Sequence, residues 1–314
     1  MSPARLAWLD FLRGAALLGM AGFHFTWDLA HFGWLDPDVV AARPFHGLGH
    51  GIAGSFLFIA GFSLALARRT RGPLWRSRPF WRRWAEVAGA AAAISAISYV
   101  LFPDTPIFFG ILHCIAASSL IGLALVEAPA ALVLGSALAT GAAPLLFAGA
   151  FFDAPALWWT GLSTFEPISN DFRPLLPWLG CFLAGLALAK FVPGLAGASS
   201  GAKKSNALAF LGRHSLAFYL IHQPLLFGLF MLVGLFVAPA PDEVDFVAQC
   251  AAQCAASGVS DDFCANSCRC VVARAKQADY WTALAANQLT PAQRRQTHDD
   301  AVACYADEAM KTGK

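Results

Sequence analysis

Seven long apolar runs, separated by short polar stretches, occupy about the first 240 residues of the 314-residue chain. They fall near residues 11–32, 48–67, 85–102, 107–126, 129–150, 174–192 and 214–238. Each approaches the roughly 20 residues that a helix needs to cross a hydrocarbon core about 30 Å thick. Inside that core the backbone has no water to bond, so helices are the expected element. From about residue 241 the apolar runs stop and shorter amphipathic stretches begin with "PDEVDFVAQCAAQCAASGVSDDFCANSCRC". The pattern therefore predicts an all-α protein. A polytopic transmembrane bundle fills 1–240, and a small, soluble, cysteine-rich helical domain fills 241–314. The first run is full length and lacks the short core and small-residue cleavage site of a signal peptide, so it is expected to stay in the mature chain.

Composition agrees with that pattern. Hydrophobic residues make up 57% of the chain and charged residues only 13%, against roughly a quarter charged in soluble domains. Charge also sets an orientation. Arg68, Arg69, Arg71, Arg76, Arg78, Arg82 and Arg83 follow the second run, and Lys190, Lys203 and Lys204 follow the sixth. The opposite loops hold Asp36, Asp38, Asp104, Asp153, Glu166 and Asp171, balanced by Arg43 and Arg173. The positive-inside rule then places the amino terminus and the arginine loop in the cytoplasm, and seven crossings put the tail outside. Membrane lipids are the expected surroundings, most of the loop arginines are expected to serve topology and anionic head groups, and no nucleic-acid partner is expected.

Six of the eight cysteines lie in the tail. Cys250 and Cys254 are four apart, as are Cys264 and Cys268, so each pair shares a helical face. A helical hairpin turning near Ser257 and Gly258 joins Cys250 to Cys268 and Cys254 to Cys264, leaving Cys270 for Cys304. That is one of about 15 pairings, and it fits an exported location where disulfides persist. A metal site is the alternative, but no histidine lies among the clustered cysteines, and no metal is expected. Cys114 and Cys181 lie in the apolar runs and read as packing residues.

The first run carries the most unusual chemistry. At about 100° per residue, Arg13 and His24 share one face, His31 returns to that direction, and Asp10 and Asp28 fall about 60° away. Such a stripe against lipid is costly, so it is expected to face the bundle interior or a wet cavity, and ionisable groups there point to function. His24 stands about 16 Å above Arg13, near mid-membrane. Asp28, one turn further, is placed to take the imidazole N–H and fix its tautomer. The blander reading is that Arg13 and Asp10 snorkel to the interface while His24 makes an interhelical bond. His113 and His222 reach a similar depth on other runs, and Ser215, Tyr219 and His222 form a second polar stripe. His46, His50 and His214 read as interfacial.

The ordered stretches "WLDFLRGAALLGMAGFHFTWDL", "FLFIAGFSLALARR", "FGILHCIAASSLIGL", "LLPWLGCFLAGLAL" and "FLGRHSLAFYLIHQPLLFGL" resemble the bacterial heparan-alpha-glucosaminide N-acetyltransferase catalytic-domain family over most of residues 5–238. The Arg13 to His24 spacing also resembles the first-helix motif of the acyltransferase 3 membrane family. The resemblance implies a multi-pass enzyme of the bacterial inner membrane, with its tail periplasmic, that moves an acyl group from acetyl-CoA or another acyl-CoA to a sugar or glycan acceptor across the membrane. On that reading Arg13 and some of Arg68, Arg69 and Arg71 hold the donor's phosphates, Arg68 and Arg69 foremost. His24, oriented by Asp28, acts as base or acyl carrier, and His113, Tyr219 and His222 line the acceptor side. His46 and His50, in the region of the relatives' essential loop histidine, are secondary candidates, and homo-oligomerisation is compatible with the reading. Better-characterised relatives have ten or more spans, against seven here. Glu166 and Asp171 face the acceptor compartment, where they are placed to bind a sugar, although loop acids are ordinarily just solvated. Two other classes remain open: a proton-coupled transporter using the same buried histidines, and a noncatalytic assembly or sensor protein acting through its tail.

Overall fold

The structure is a computed structural model that describes residues 7–194, 207–236, 242–256, 258–285 and 289–312. Lys203, Lys204, Ser257 and the expected boundary at residue 240 lie outside the described residues. The described elements are α-helices with short 3-10 turns. The seven runs correspond to α1 (Ala7–His31), α3 (Arg43–Arg71), α4 (Arg78–Leu101), α5 (Ile111–Leu125), α6 (Ala130–Phe147), α7 (Leu175–Phe191) and α9 (Ser215–Gly234), with α2 (Pro37–Ala41) and α8 (Ala207–Arg213) between them. Among the described residues α3, α4, α6 and α9 are long and apolar enough to cross a membrane, and α5 and α7 are shorter apolar helices. This is a multi-pass membrane protein. Helix α1, with 25 residues, has the length for a crossing and carries the polar stripe.

Two of the edges that differ from the sequence reading have clear local reasons. Helix α3 runs past its apolar stretch through Arg68, Arg69 and Arg71, because arginine is a good helix former whose charge reaches water from a buried stem. It stops at Gly72, whose φ of 73° ends the helical path. Helix α5 starts at Ile111 rather than 107, because the preceding residues fold back: Ile107 N–H donates to Ser98 Oγ at 2.9 Å, and Asp171 Oδ2 accepts from Ile111 N–H at 2.8 Å.

The chain forms two compact units, Met1–Phe25 with Ala42–Leu225, and Thr26–Ala41 with Leu226–Lys314. The first is built on the crossing of α3 and α7. A Cβ on Gly61 would stand 1.8 Å from the Phe182 carbonyl oxygen, and one on Gly185 would stand 2.0 Å from that of Phe58. Each helix thus presents hydrogen in place of a side chain to the other's backbone, the small-residue contact by which helices associate in lipid. Phe62, Leu57, Phe182, Leu183 and Leu186 pack around it, each 2% exposed or less. A second reciprocal contact, Gly14 on Leu208 and Gly212 on Asp10, locks α1 to α8. The outward residues of α4, α6 and α9, among them Val100, Leu138, Leu145 and Leu225, are large, apolar and exposed, as a lipid-facing surface requires.

In the second unit Phe32 packs on Phe227 and Phe230 at ring distances of 5.0 and 5.7 Å. The tail folds as α10 (Glu243–Ala255), α11 (Asp261–Gln277), α12 (Trp281–Ala285) and α13 (Pro291–Thr312). Its disulfides are Cys250–Cys268, Cys254–Cys264 and Cys270–Cys304, the pairing that the two four-residue spacings imply. Cys114 and Cys181 are free. Arg274 pairs with Asp300 and Asp307, and Tyr280 donates to Asp300 at 2.8 Å. Asn266 and Lys311 hold the Glu308 carboxyl below its ordinary range.

Two outcomes test this architecture. Gly61→Leu or Gly185→Leu forces α3 and α7 apart and lowers stability by at least about 1–3 kcal/mol, read as thermal unfolding in detergent. Gly89→Ala, which meets nothing within 4 Å, leaves the melting temperature unchanged. Removing Cys270–Cys304, which closes a separation of 34 residues, costs the tail about 2–5 kcal/mol and speeds its cleavage in limited proteolysis of the full chain. An unchanged cleavage rate in Cys304→Ser would contradict the crosslink's structural role.

Candidate active site

A cavity of about 580 Å³ opens at the basic end of the first unit. Among its lining residues are Arg13, Arg71, Arg83 and Arg213, the acids Asp10 and Glu86, the aromatics Phe56, Phe80 and Trp84, and Leu17, Ile111, Leu112 and Tyr219. Arg13 donates to Asp10 Oδ1 at 3.0 Å and to Ser63 Oγ, which ties α1 to α3 at the mouth. Arg68 and Arg69 are not among the lining residues. Arg68 bonds Glu127 beyond the end of α5, and this bond holds the Glu127 carboxyl below its ordinary range. The arginines in the cavity are therefore Arg83 and Arg213 beside the expected Arg13 and Arg71. In sequence Arg71 and Arg83 are indistinguishable from their neighbours in the arginine run, and only the facing of α3 and α4 selects them.

Tyr219 joins this cavity to a pair of histidines. Its carbonyl oxygen lies 2.8 Å from His222 Nδ1. Because a carbonyl only accepts, Nδ1 must carry the proton, and Nε2 is left with its lone pair. That Nε2 is buried and has no hydrogen-bond partner among the described residues. The His222 ring faces His24 with centroids 5.1 Å apart, and it stacks on Phe218 at 5.8 Å. A buried, unbonded imidazole nitrogen of fixed tautomer is the arrangement of a proton acceptor waiting for a donor.

Other predicted residues are placed differently. His113 is bonded at both ring nitrogens: Nδ1 accepts from Gly110 N–H at 3.2 Å, and Nε2 lies 3.2 Å from Ser95 Oγ, which donates to the Ile107 carbonyl. It ties α4 to the start of α5. Asp28 is fully buried and belongs to the second unit. His31, in the same unit, is exposed and stacks on Trp27. His46 and His214 are exposed, and His50 lies against the Trp178 ring at 5.4 Å.

Two residues that sequence reading treated as loop charges belong to this region. The segment 170–173 is laid along the residues before α5 by Asn170 N–H to the Thr105 carbonyl at 3.1 Å and Arg173 N–H to the Phe109 carbonyl at 2.9 Å. Asp171 holds the Ile111 N–H between those rungs. Burial raises the Asp171 carboxyl's pKa, opposed by Arg173 and by that N–H. Arg173 lies over the Trp178 ring at 5.5 Å. The hint in sequence is the position of "NDFRP" directly before a membrane run.

Residues 5–224 match the family model described as "Heparan-alpha-glucosaminide N-acetyltransferase, catalytic". No curated protein and no solved structure matches the chain.

Proposed function

The chain belongs to the heparan-alpha-glucosaminide N-acetyltransferase catalytic-domain family, and we propose that it transfers an acetyl group from acetyl-CoA to a sugar or glycan acceptor across the membrane. The family is one of membrane acetyltransferases. One observation carries the finer reading: the arginine-lined cavity reaches Tyr219, whose backbone carbonyl fixes the tautomer of His222. In this reading the basic end faces the cytoplasm of a bacterium, and the acceptor, an amino sugar or a sugar hydroxyl of a glycan, comes from the periplasmic side.

Arg71, Arg83 and Arg213 hold the donor's phosphates through charge-assisted bonds, for which the guanidinium fork is well shaped. The thioester supplies the activated acyl group. The aromatic and aliphatic walls exclude water from the pantetheine arm, so that hydrolysis does not compete. His222 Nε2 takes the proton from the acceptor nitrogen or oxygen as it attacks and returns it to the departing thiolate. His24, beside it, keeps the second imidazole of the pair at the reacting centre. Arg13 serves the mouth indirectly, through the Asp10 and Ser63 bonds that hold α1 against α3.

The test is purified protein in lipid nanodiscs with radiolabelled acetyl-CoA and a panel of amino-sugar and glycan acceptors. Wild type is expected to transfer label. His222→Ala loses about 10²–10⁴ in rate while still binding CoA. Arg71→Ala combined with Arg83→Ala raises KM for acetyl-CoA tenfold or more, since each lost charged hydrogen bond is worth about 1.5–3 kcal/mol, with kcat largely kept. Wild type that neither binds nor consumes acetyl-CoA would defeat the proposal.

A further inference from the structure

We propose that the hydroxyl of Tyr219 is the hydrogen-bond donor that stabilises the oxyanion of the acetyl transfer. This inference rests on the acetyltransferase reading above, which uses only the backbone carbonyl of Tyr219. It moves the side chain from the acceptor side, where the family resemblance puts it, to the donor cavity. The geometry starts from the register of the helices. Arg13 bonds Ser63, and a Cβ on Gly19 would meet the Ile52 side chain at 3.6 Å, so α1 and α3 run antiparallel. The lining of α3 extends from Arg71 to Phe56, about 22 Å of helix. On α9 the lining residues are Ser215, Leu216 and Tyr219, with Arg213 just before them at the end of α8. Along the chain Tyr219 is therefore the lining residue of α9 farthest from Arg213 and nearest to His222. With the donor's phosphates at the arginines, its arm runs inward and brings the thioester to Tyr219.

One turn of α9 holds this side chain beside the candidate base. Residues three apart share a helical face, and the Tyr219 and His222 ring centroids are 5.9 Å apart. The Tyr219 carbonyl, 2.8 Å from His222 Nδ1, leaves Nε2 as the nitrogen with the lone pair. Tyr219 is half-buried, and its hydroxyl forms no hydrogen bond with another described residue. Phenol hydroxyls inside a protein ordinarily find a partner, so one in a cavity wall without a protein partner is left for what the cavity holds. The ring packs against the buried core that α3 and α7 share, and the donor is thus in place before substrate arrives. A preorganised donor in a water-excluded site stabilises developing negative charge without reorganising.

The acceptor's nitrogen or oxygen attacks the thioester carbon, its proton passes to His222 Nε2, and the carbonyl π pair moves onto oxygen, where the Tyr219 O–H donates to it. That pair then re-forms the C=O bond as the C–S bond breaks, and the thiolate leaves with the proton from His222. Tyr219 keeps its own proton throughout. One residue thereby serves both halves of the step: its carbonyl sets the tautomer of the base, and its hydroxyl meets the negative charge that the attack creates.

Tyr219→Phe separates these two contributions, because it removes the hydroxyl and keeps the ring and the carbonyl. The experiment compares it with wild type in nanodiscs, using acetyl-CoA labelled with carbon-13 at the acetyl carbonyl. It measures kcat, KM for donor and acceptor, CoA affinity, thermal unfolding and the infrared stretch of the bound thioester carbonyl. Tyr219→Phe is expected to lose about 10²–10³ in kcat, with CoA affinity, acceptor KM and unfolding temperature unchanged, the pattern of an interaction made in the transition state. The bound carbonyl is expected to absorb at lower frequency in wild type than in Tyr219→Phe, where it moves toward its position in an apolar solvent. Turnover like wild type, a loss carried wholly by either KM or by CoA affinity, or the same infrared band in both proteins overturns the inference while the acetyltransferase reading stands. If Tyr219→Phe unfolds, an ortho-fluorinated tyrosine in place of Tyr219, a stronger donor of nearly the same size, decides: the band moves further down if the hydroxyl bonds that oxygen, and an unmoved band overturns the role. Wild type without CoA binding or turnover overturns both readings.

Discussion

The close approach of α3 and α7 governs the membrane unit. Lipid gives helices no hydrophobic reason to associate, so their contact must come from packing, and packing at backbone distance requires that both sides lack a Cβ. Gly61 and Gly185 meet that condition reciprocally. The contact fixes α3, which carries Ser63 and Arg71 to the cavity, against α7, whose first residues carry Trp178 toward Arg173. Phe182 extends the same core to α5, where Gly122 leaves room for its ring. The cavity and the segment behind it therefore depend on one pair of glycines.

The chain belongs to a family of membrane acetyltransferases, and its candidate site joins a cavity with four arginines to a pair of histidines. Four arginines share the lining of a cavity of about 580 Å³ with apolar and aromatic side chains. The histidines lie beyond Tyr219. The backbone is as important as the side chains at that point. A carbonyl of α9 decides which nitrogen of His222 holds the proton, and a backbone N–H of α5 decides where Asp171 sits. His113, chemically able to serve as a base, is instead engaged at both nitrogens, by Gly110 of the turn before α5 and by Ser95 of α4. The same residue type is thus a candidate base in one helix and a fastening in another, and hydrogen-bond occupancy is the difference.

The amino-acid sequence by itself determined the all-helical class, the seven apolar runs and the cysteine-rich helical tail, and it offered, as one of about 15 pairings, the disulfide pairing that the structure has. Those follow from local rules: run length against bilayer thickness, 3.6-residue periodicity, and cysteines four apart on facing helices. It also singled out His24, Asp28, His113, His222 and Tyr219 as candidates, because ionisable groups in an apolar run have few explanations. Tertiary structure alone decided which arginines face the cavity, since Arg68, Arg69, Arg71 and Arg83 are equivalent as a charge run and differ only by the angle at which each helix meets its neighbours. It alone separated His222, with a bare nitrogen, from His113, with none. And it alone brought Asp171 and Arg173 to the start of α5, 60 residues away in sequence from Ile111, because backbone pairing between distant loops leaves no periodic trace along a single chain.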